Sequence, residues 1–308
     1  MSFSLLLIQC LNGLQYGVLL FLIAAGLTLV FGVMGFINLA HGVQYMVGAY
    51  LAFAFYGLTG NFFLALVLSL IVALIFGLLL EVLVFRHLYD RDHLDQVLAT
   101  FGIILFLNEA AKVIFGPLTL TIPPPEFLSG SVQLTENLRY PVYRFATIAA
   151  GLAVAIALWA IVTRTRVGML IRAGASNPTM VSALGVNIQR LFMVVFGFGA
   201  MLAGFAGVIA APIFSIEPGM GDNILIVAFV VIIIGGIGSI RGAFIAALLV
   251  GLIDTMGRSL ATSTLSLVLD GSMANQIGPA LASMLIYILM AAILIVRPEG
   301  LFPTKGAA

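Results

Sequence analysis

The first 80 residues contain no aspartate, glutamate, lysine or arginine; the earliest charged side chain is Glu81 and the earliest basic one is Arg86. A soluble domain hydrates its surface with such groups, so a stretch this long without them suits a lipid environment. The remainder agrees. Across all 308 residues 62% are hydrophobic and 8% charged, whereas soluble domains run at roughly 45–50% and about 25%. A cleavable leader needs a positive region ahead of a short apolar core, so the start reads as a retained span. The net charge of +1 gives no reason to expect nucleic-acid binding. The single cysteine, Cys10, cannot form an internal disulfide and reads as packing.

A helix needs about 20 apolar residues to cross the hydrocarbon layer. Residues 13–36, 96–115, 144–163, 191–212, 224–240, 242–260 and 277–296 qualify, and 42–80 is too long for one span. It divides at "GLTGN" (57–61), where glycine and asparagine favour a turn. The expected fold is an all-α polytopic membrane protein of about eight or nine spans, forming one transmembrane domain over residues 1–308.

Lysine and arginine collect in short cytoplasmic loops. Arg86 and Arg91, then Arg164, Arg166, Arg172 and Arg190, then Arg297 and Lys305 mark three segments. Between them lie loops with Glu217 and Asp222, with Asp270, and with Glu126 and Glu136 against Arg139. Counting spans between these loops reproduces the alternation that the charges require from residue 86 onward. Parity then sets residue 1 outside, unless the chain breaks within the membrane near 36–42. The longest external connection, 116–141, holds "IPPPEF", whose prolines favour extended geometry and a surface loop.

Two segments carry backbone-permissive residues at membrane depth: "GVMGFINLAHG" (32–42) and "GGIGSIRGA" (235–243). Lipid does not tolerate unsatisfied backbone groups, so irregular chain there belongs against protein or a wet cavity. Both segments are therefore expected to be discontinuities bordering a pathway. Gly242 to Ile253 leaves only a short uncharged run before Asp254, suggesting a further interruption. Set one against the other, the two segments match Gly35 to Gly235 and Gly42 to Gly242, a weak sign of an internal repeat. The plainer readings are that "GLQYG" (13–17), Gly199, Ala203, Gly204 and Gly207 let helices approach closely, and that His41 is a packed histidine. Glu109 with Lys112, and Asp254 with Arg258, have the spacing of pairs on one helical face.

No phosphate-binding GxxxxGK[ST] loop, HExxH, paired CxxC or GxSxG is present. Metal, cofactor and hydrolase chemistry thus lack support. The carboxylates within apolar stretches, Glu81, Glu109 and Asp254, lie near expected span ends rather than deep in them. A carrier driven by protons or sodium ordinarily keeps such groups deeper, so energy is expected from another subunit.

The segment 164–190, "RTRVGMLIRAGASNPTMVSALGVNIQR", interrupts the apolar pattern. Asn177 followed by Pro178 makes a good helix start, and Gly185 a good stop. Residues 179–184 are expected to form a short cytoplasmic helix presenting Met180, Val181 and Leu184 as a docking piece; an ordinary loop with a frayed helix is the alternative.

"GMLIRAGASNPTMVSALGVN", "FGFGAMLAGFAGVIAAP", "VVIIIGGIGSIRGAFIAALLVG" and, near the start, "LTLVFGVMGFINLAHG" together resemble the membrane permease subunits of bacterial ABC importers for branched-chain amino acids. The resemblance covers essentially the whole chain. It implies a discontinuous-helix permease in the bacterial inner membrane, paired with a second related permease, with two ATP-binding subunits beneath and a periplasmic substrate-binding protein above. It also implies that Arg172, Asn177, Ala183, Gly185 and Asn187 couple the permease to its ATPase. Asn38, Ala40, His41, Gly42, Gly235, Gly236, Gly238 and Ser239 would border the pathway. The more familiar "EAA…G" pattern of permeases is not met, because Val181 stands four residues before Gly185. The same architecture would also serve urea, short amides or small organic acids, and an ATP-independent carrier or channel is a rival of another class.

Overall fold

The structure, a computed structural model, describes residues 3–135 and 138–303. Glu136 and Lys305, which entered the charge pattern above, lie outside the described residues. Eleven α-helices follow in order among those residues: α1 Phe3–Met34, α2 His41–Thr59, α3 Phe62–Leu83, α4 His93–Phe115, α5 Val142–Arg164, α6 Arg166–Ser176, α7 Pro178–Ala183, α8 Ile188–Ala210, α9 Met220–Gly235, α10 Ile240–Leu265 and α11 Gly271–Val296. Seven of them, α1, α3, α4, α5, α8, α10 and α11, give segments long and apolar enough to cross a membrane. The shorter α9 and the more polar α2 complete the bundle.

The split within 42–80 falls at the expected turn. Gly60 ends α2 in the left-handed region, and the Asn61 carboxamide accepts from the backbone amides of Phe63 and Leu64 to start α3. The uncharged run before Asp254 does not mark an interruption. α10 is continuous from Ile240 to Leu265, because Arg258 one turn later neutralises the carboxylate and no break is needed to hydrate it. One small element departs from the all-α expectation: the connection between α4 and α5 holds an antiparallel hairpin, β1 Ser131–Thr135 and β2 Leu138–Pro141. Its proline run precedes a 3-10 turn at Glu126–Leu128, and the neighbouring Leu120 pairs with Ile216 of the α8–α9 connection.

Long-range contacts sort the helix ends onto two faces. Asn12 of α1 accepts from Arg144 at the start of α5, and the Tyr143 hydroxyl donates to the Ile209 carbonyl near the end of α8. At the opposite end of the bundle, Gly174 of α6 lies against Leu191 at the start of α8 and Val33 at the end of α1. The beginning of α1 and the arginine-rich segment therefore occupy opposite ends of the bundle. They do so even though the chain does break at 36–42, because α2 still runs back toward the end at which α1 begins and the break does not reverse the alternation.

α1 is the central helix. Residues 18–25 are at most 1% exposed, surrounded by α5, α8, α9 and α10. The small residues expected to allow close approach do so. Gly13 and Gly17 lie against the backbone of α10, and Gly204 and Gly207 against that of α2. On α3, α4 and α11 large apolar side chains instead face outward, among them Val67, Ile71 and Ile75, Phe101 and Leu105, and Leu281 and Leu285. Contiguous exposed apolar faces of this size fit hydrocarbon rather than water.

Candidate functional site

The first discontinuity is a returning loop. α1 ends with Gly35 at φ +63°, whose amide closes on the Phe31 carbonyl. Phe36 then packs against Phe85 and Tyr89, and the Ile37 amide donates to the Gln96 side chain. Gln96 in turn donates to the carbonyls of Leu88 and Arg91, fastening the loop to the connection before α4. The Tyr89 hydroxyl donates to Glu81, and its pKa is pushed well above the ordinary phenol value by burial and by that carboxylate. Within five residues of Phe36 the chain is deep in the bundle. His41 donates from Nε2 to the carbonyl of Ile23, which lies 11 residues before the end of α1, about 16 Å along the helix.

α2 consequently starts inside the protein without a side-chain cap. Asn38, Ala40, His41, Gly42 and Gln44 are all buried. The Asn38 amide is enclosed with neither its nitrogen nor its oxygen hydrogen-bonded, and the Thr28 hydroxyl is likewise unpartnered. Such groups cost about 1–3 kcal/mol each when left unpaired. Gly42 packs backbone to backbone against Gly221 at the start of α9.

The second discontinuity is a hairpin between α9 and α10 on the arginine-rich face. Gly236 and Gly238 have φ of +99° and +79°, and Ser239 caps α10 by accepting from the Gly242 amide. Gly235 and Gly242 touch across the hairpin. A strap from beyond α11 seals it, with the Leu301 and Phe302 amides donating to the carbonyls of Ile234 and Gly235. Gly42 and Gly242 thus have different neighbours, despite their matching sequence context.

Two cavities lie toward opposite ends of α1. One, of about 530 Å³, is lined by Thr28, Gly32, Ile171, Arg172, Ser176 and Gly238. It joins a residue expected on the pathway, Gly238, to one expected in the coupling segment, Arg172. The other, of about 590 Å³, is lined by Tyr16, Tyr45, Asn223, Asp254, Arg258 and Ile286 among others. Tyr16 and Thr28 are separated by 12 residues, about 18 Å of helix, and residues 18–25 between them are buried. Asn38, Ala40, His41, Gly42, Gly235, Gly236 and Ser239 line neither cavity.

The sequence reading missed the second cavity. Its signal was the Asp254–Arg258 spacing, which was read only as mutual neutralisation. That much is present: Arg258 donates from Nε and Nη2 to Asp254 at 2.9 and 2.8 Å. The pairing says nothing about the space beside it, which depends on where α1, α9 and α11 stand. The other intramembrane carboxylates are paired as well, Glu81 with Arg86 at 3.1 Å and Glu109 with Lys112 at 2.6 Å.

The polar insert folds into two helices rather than one. Thr165 caps α6, a helix additional to the one expected, by accepting from the Gly168 amide. Asn177 caps α7 by accepting from the Met180 amide, with Pro178 in the first turn. Gly185 at φ +87° ends it: its amide bonds to the Ser182 carbonyl and that of Val186 to Val181, a Schellman closure. Asn187 then caps α8 through the Arg190 amide. Arg172, Asn177, Ala183, Gly185 and Asn187 are all exposed. Val181 is not part of the presented surface. It is 6% exposed, whereas Met180 and Leu184 are 59% and 78% exposed, because a helix of six residues has one face turned to the bundle and only the other free.

A polytopic helical bundle with cavities toward opposite ends of a buried central helix has the build of a membrane transport permease. The chain belongs to the family described as the permease component of branched-chain amino acid transport systems, whose model matches residues 9–294. It is similar to the high-affinity branched-chain amino acid transport system permease protein BraD of Pseudomonas aeruginosa, with 32% identity covering 81% of this chain and 85% of that protein. Its similarity to LivH of Escherichia coli K12, of the same description, is 30% identity over 83% and 87%. A probable branched-chain amino acid permease of Methanocaldococcus jannaschii is 28% identical over 78% of each. No solved structure matches the chain.

Proposed function

We propose that this multi-pass permease imports branched-chain amino acids across the bacterial inner membrane as one subunit of an ABC importer. Its companions are a second related permease, two ATP-binding subunits that hydrolyse the nucleotide, and a periplasmic binding protein that delivers substrate. The observation that carries the reading is the pair of cavities at Tyr16 and Thr28, held apart by residues 18–25 of α1. Two cavities separated in this way support a pathway closed in its middle, which alternating access opens one end at a time. The exposed Met180 and Leu184 form the surface for an ATPase, and α6 joins that foot to the cavity that Arg172 and Gly238 share. A conformational change needs a ligand that binds the two states differently, and closure of the nucleotide-loaded ATPases supplies it. Asn38, Ala40, His41, Gly42, Gly235, Gly236, Gly238 and Ser239 act at the closed middle and inner end; Arg172, Asn177, Ala183, Gly185 and Asn187 transmit the stroke.

The test is uptake into proteoliposomes containing the complete complex. Labelled leucine should accumulate only with internal ATP and external binding protein, and should do so in the presence of an ionophore. Accumulation of urea or short amides in its place, or leucine uptake without the ATPases, would overturn the reading.

A further inference from the structure

The 590 Å³ cavity has a chemical polarity of its own. Asp254 and Arg258, with Ser283 hydrogen-bonded to Arg258, line it together with Tyr16 and with the apolar Ile224, Val227 and Ile286. A second space of about 370 Å³ shares Tyr16, Asp254 and Arg258 and adds Asn12, Gln15 and Arg144. The charged groups lining the two spaces are Glu217, Asp254, Arg144 and Arg258, two of each sign. A site of that balance disfavours a net anion or cation and suits a molecule carrying both charges.

Arg258 has a donor to spare. Its Nε and Nη2 are engaged by Asp254, and Nη2 also donates to Ser283, which leaves Nη1 without a hydrogen bond among the described residues. A guanidinium can hold two carboxylates on different edges. Asp254 can likewise accept from an ammonium through lone pairs that Arg258 does not use. The Gln15 amide nitrogen is buried nearby and unpartnered. The volume falls within the roughly 300–1,000 Å³ typical of small-molecule sites.

We infer that this cavity, on the face opposite the arginine-rich segment, is where the permease receives its substrate. It holds an aliphatic α-amino acid as the zwitterion, with the carboxylate on Arg258, the ammonium on Asp254 and the side chain against Ile224, Val227 and Ile286. The inference rests on the proposed import function and names a site for it.

Cys10 is the only cysteine in the chain, so a single reporter thiol is readily placed. In the assembled complex, Cys10→Ser combined with Asn223→Cys puts a thiol at an exposed residue that lines the cavity. Its modification by a water-soluble methanethiosulfonate is followed by mass spectrometry of this subunit, without the binding protein. Saturating leucine should slow the reaction at least threefold. Neither 3-methylbutylamine, which lacks the carboxylate, nor 4-methylpentanoate, which lacks the ammonium, should do so. The double substitution Asp254→Asn with Arg258→Gln removes both charges without stranding either, and should abolish protection. Equal rates with and without leucine overturn the site, as does protection by either truncated analogue or protection that survives the double substitution. Leucine uptake measured on the same proteoliposomes separates the two readings: import without protection overturns the site alone, and absence of both overturns site and function together.

Discussion

Gly42 of α2 and Gly221 of α9 meet backbone to backbone, so that a Cβ built on either would collide with the other's carbonyl oxygen. The contact holds the first turn of α2 deep in the bundle, next to the carbonyl that His41 binds on α1. It also anchors α9, which begins beside the 590 Å³ cavity and ends at the hairpin near the 530 Å³ one. The placement of both helices therefore depends on the absence of two methyl groups.

Gly42→Ala and Gly221→Ala should each cost about 1–3 kcal/mol by overpacking. Thermal unfolding of the complex in detergent reads the loss. Gly57→Ala, in the same helix with open space around it, serves as the control and should be neutral or stabilising by about 0.5–1 kcal/mol. Equal melting temperatures for Gly42→Ala and Gly57→Ala would show that the contact is not tight.

Asn38 presents the reverse case. Its amide is enclosed without a partner, so the conformation described here carries an unfavourable term of about 1–3 kcal/mol that an apolar side chain of similar size would remove. Asn38→Leu should keep or raise thermal stability while lowering ATP-driven leucine uptake, because the amide then has no role in an opened state. A stability loss with uptake retained would contradict a pathway role.

Gly185 ends α7 at a positive φ, yet a side chain there would touch nothing within 4 Å. The obstacle to substitution is the backbone, at about 1–2 kcal/mol for an ordinary residue. Gly185→Val should therefore fray α7 and lower the leucine imported per ATP hydrolysed, whereas Gly185→Asn, which tolerates the left-handed region, should retain most of it. The ratio of uptake to phosphate release decides between backbone and steric explanations: similar losses for both variants would refute the backbone one.

Glu81 and Arg86 form an asymmetric pair, the Glu81 side chain fully buried and the Arg86 side chain 32% exposed. Arg86→Met leaves the buried charge supported by Tyr89 alone and should cost about 3–5 kcal/mol. Glu81→Gln releases an arginine that can reach water and should cost less. The double variant should recover stability relative to Arg86→Met. A thermal unfolding cycle on the four proteins measures this, and equal losses for the two single variants would mean that burial of Glu81 does not set the balance.

Much of this protein was written locally. Charge-free runs dictate membrane residence, because hydrocarbon offers no partner for an ionised group. Helix ends at Gly60 and Asn61, and at Asn177 and Gly185, follow from caps that act over three or four residues. The arginine distribution orders the faces. The inward side of each span was not legible, because lipid and protein interior are equally apolar and helices such as α1 and α9 have no polar stripe to tell them apart. Asp254 borders a cavity with Tyr16, and Gly221 seats the first turn of α2 at Gly42, across more than a hundred positions in each case. The choice between Val181 and Met180 depends on how α6 and α8 flank α7. Only the packed bundle brings those residues together, since each contact depends on several helix axes at once.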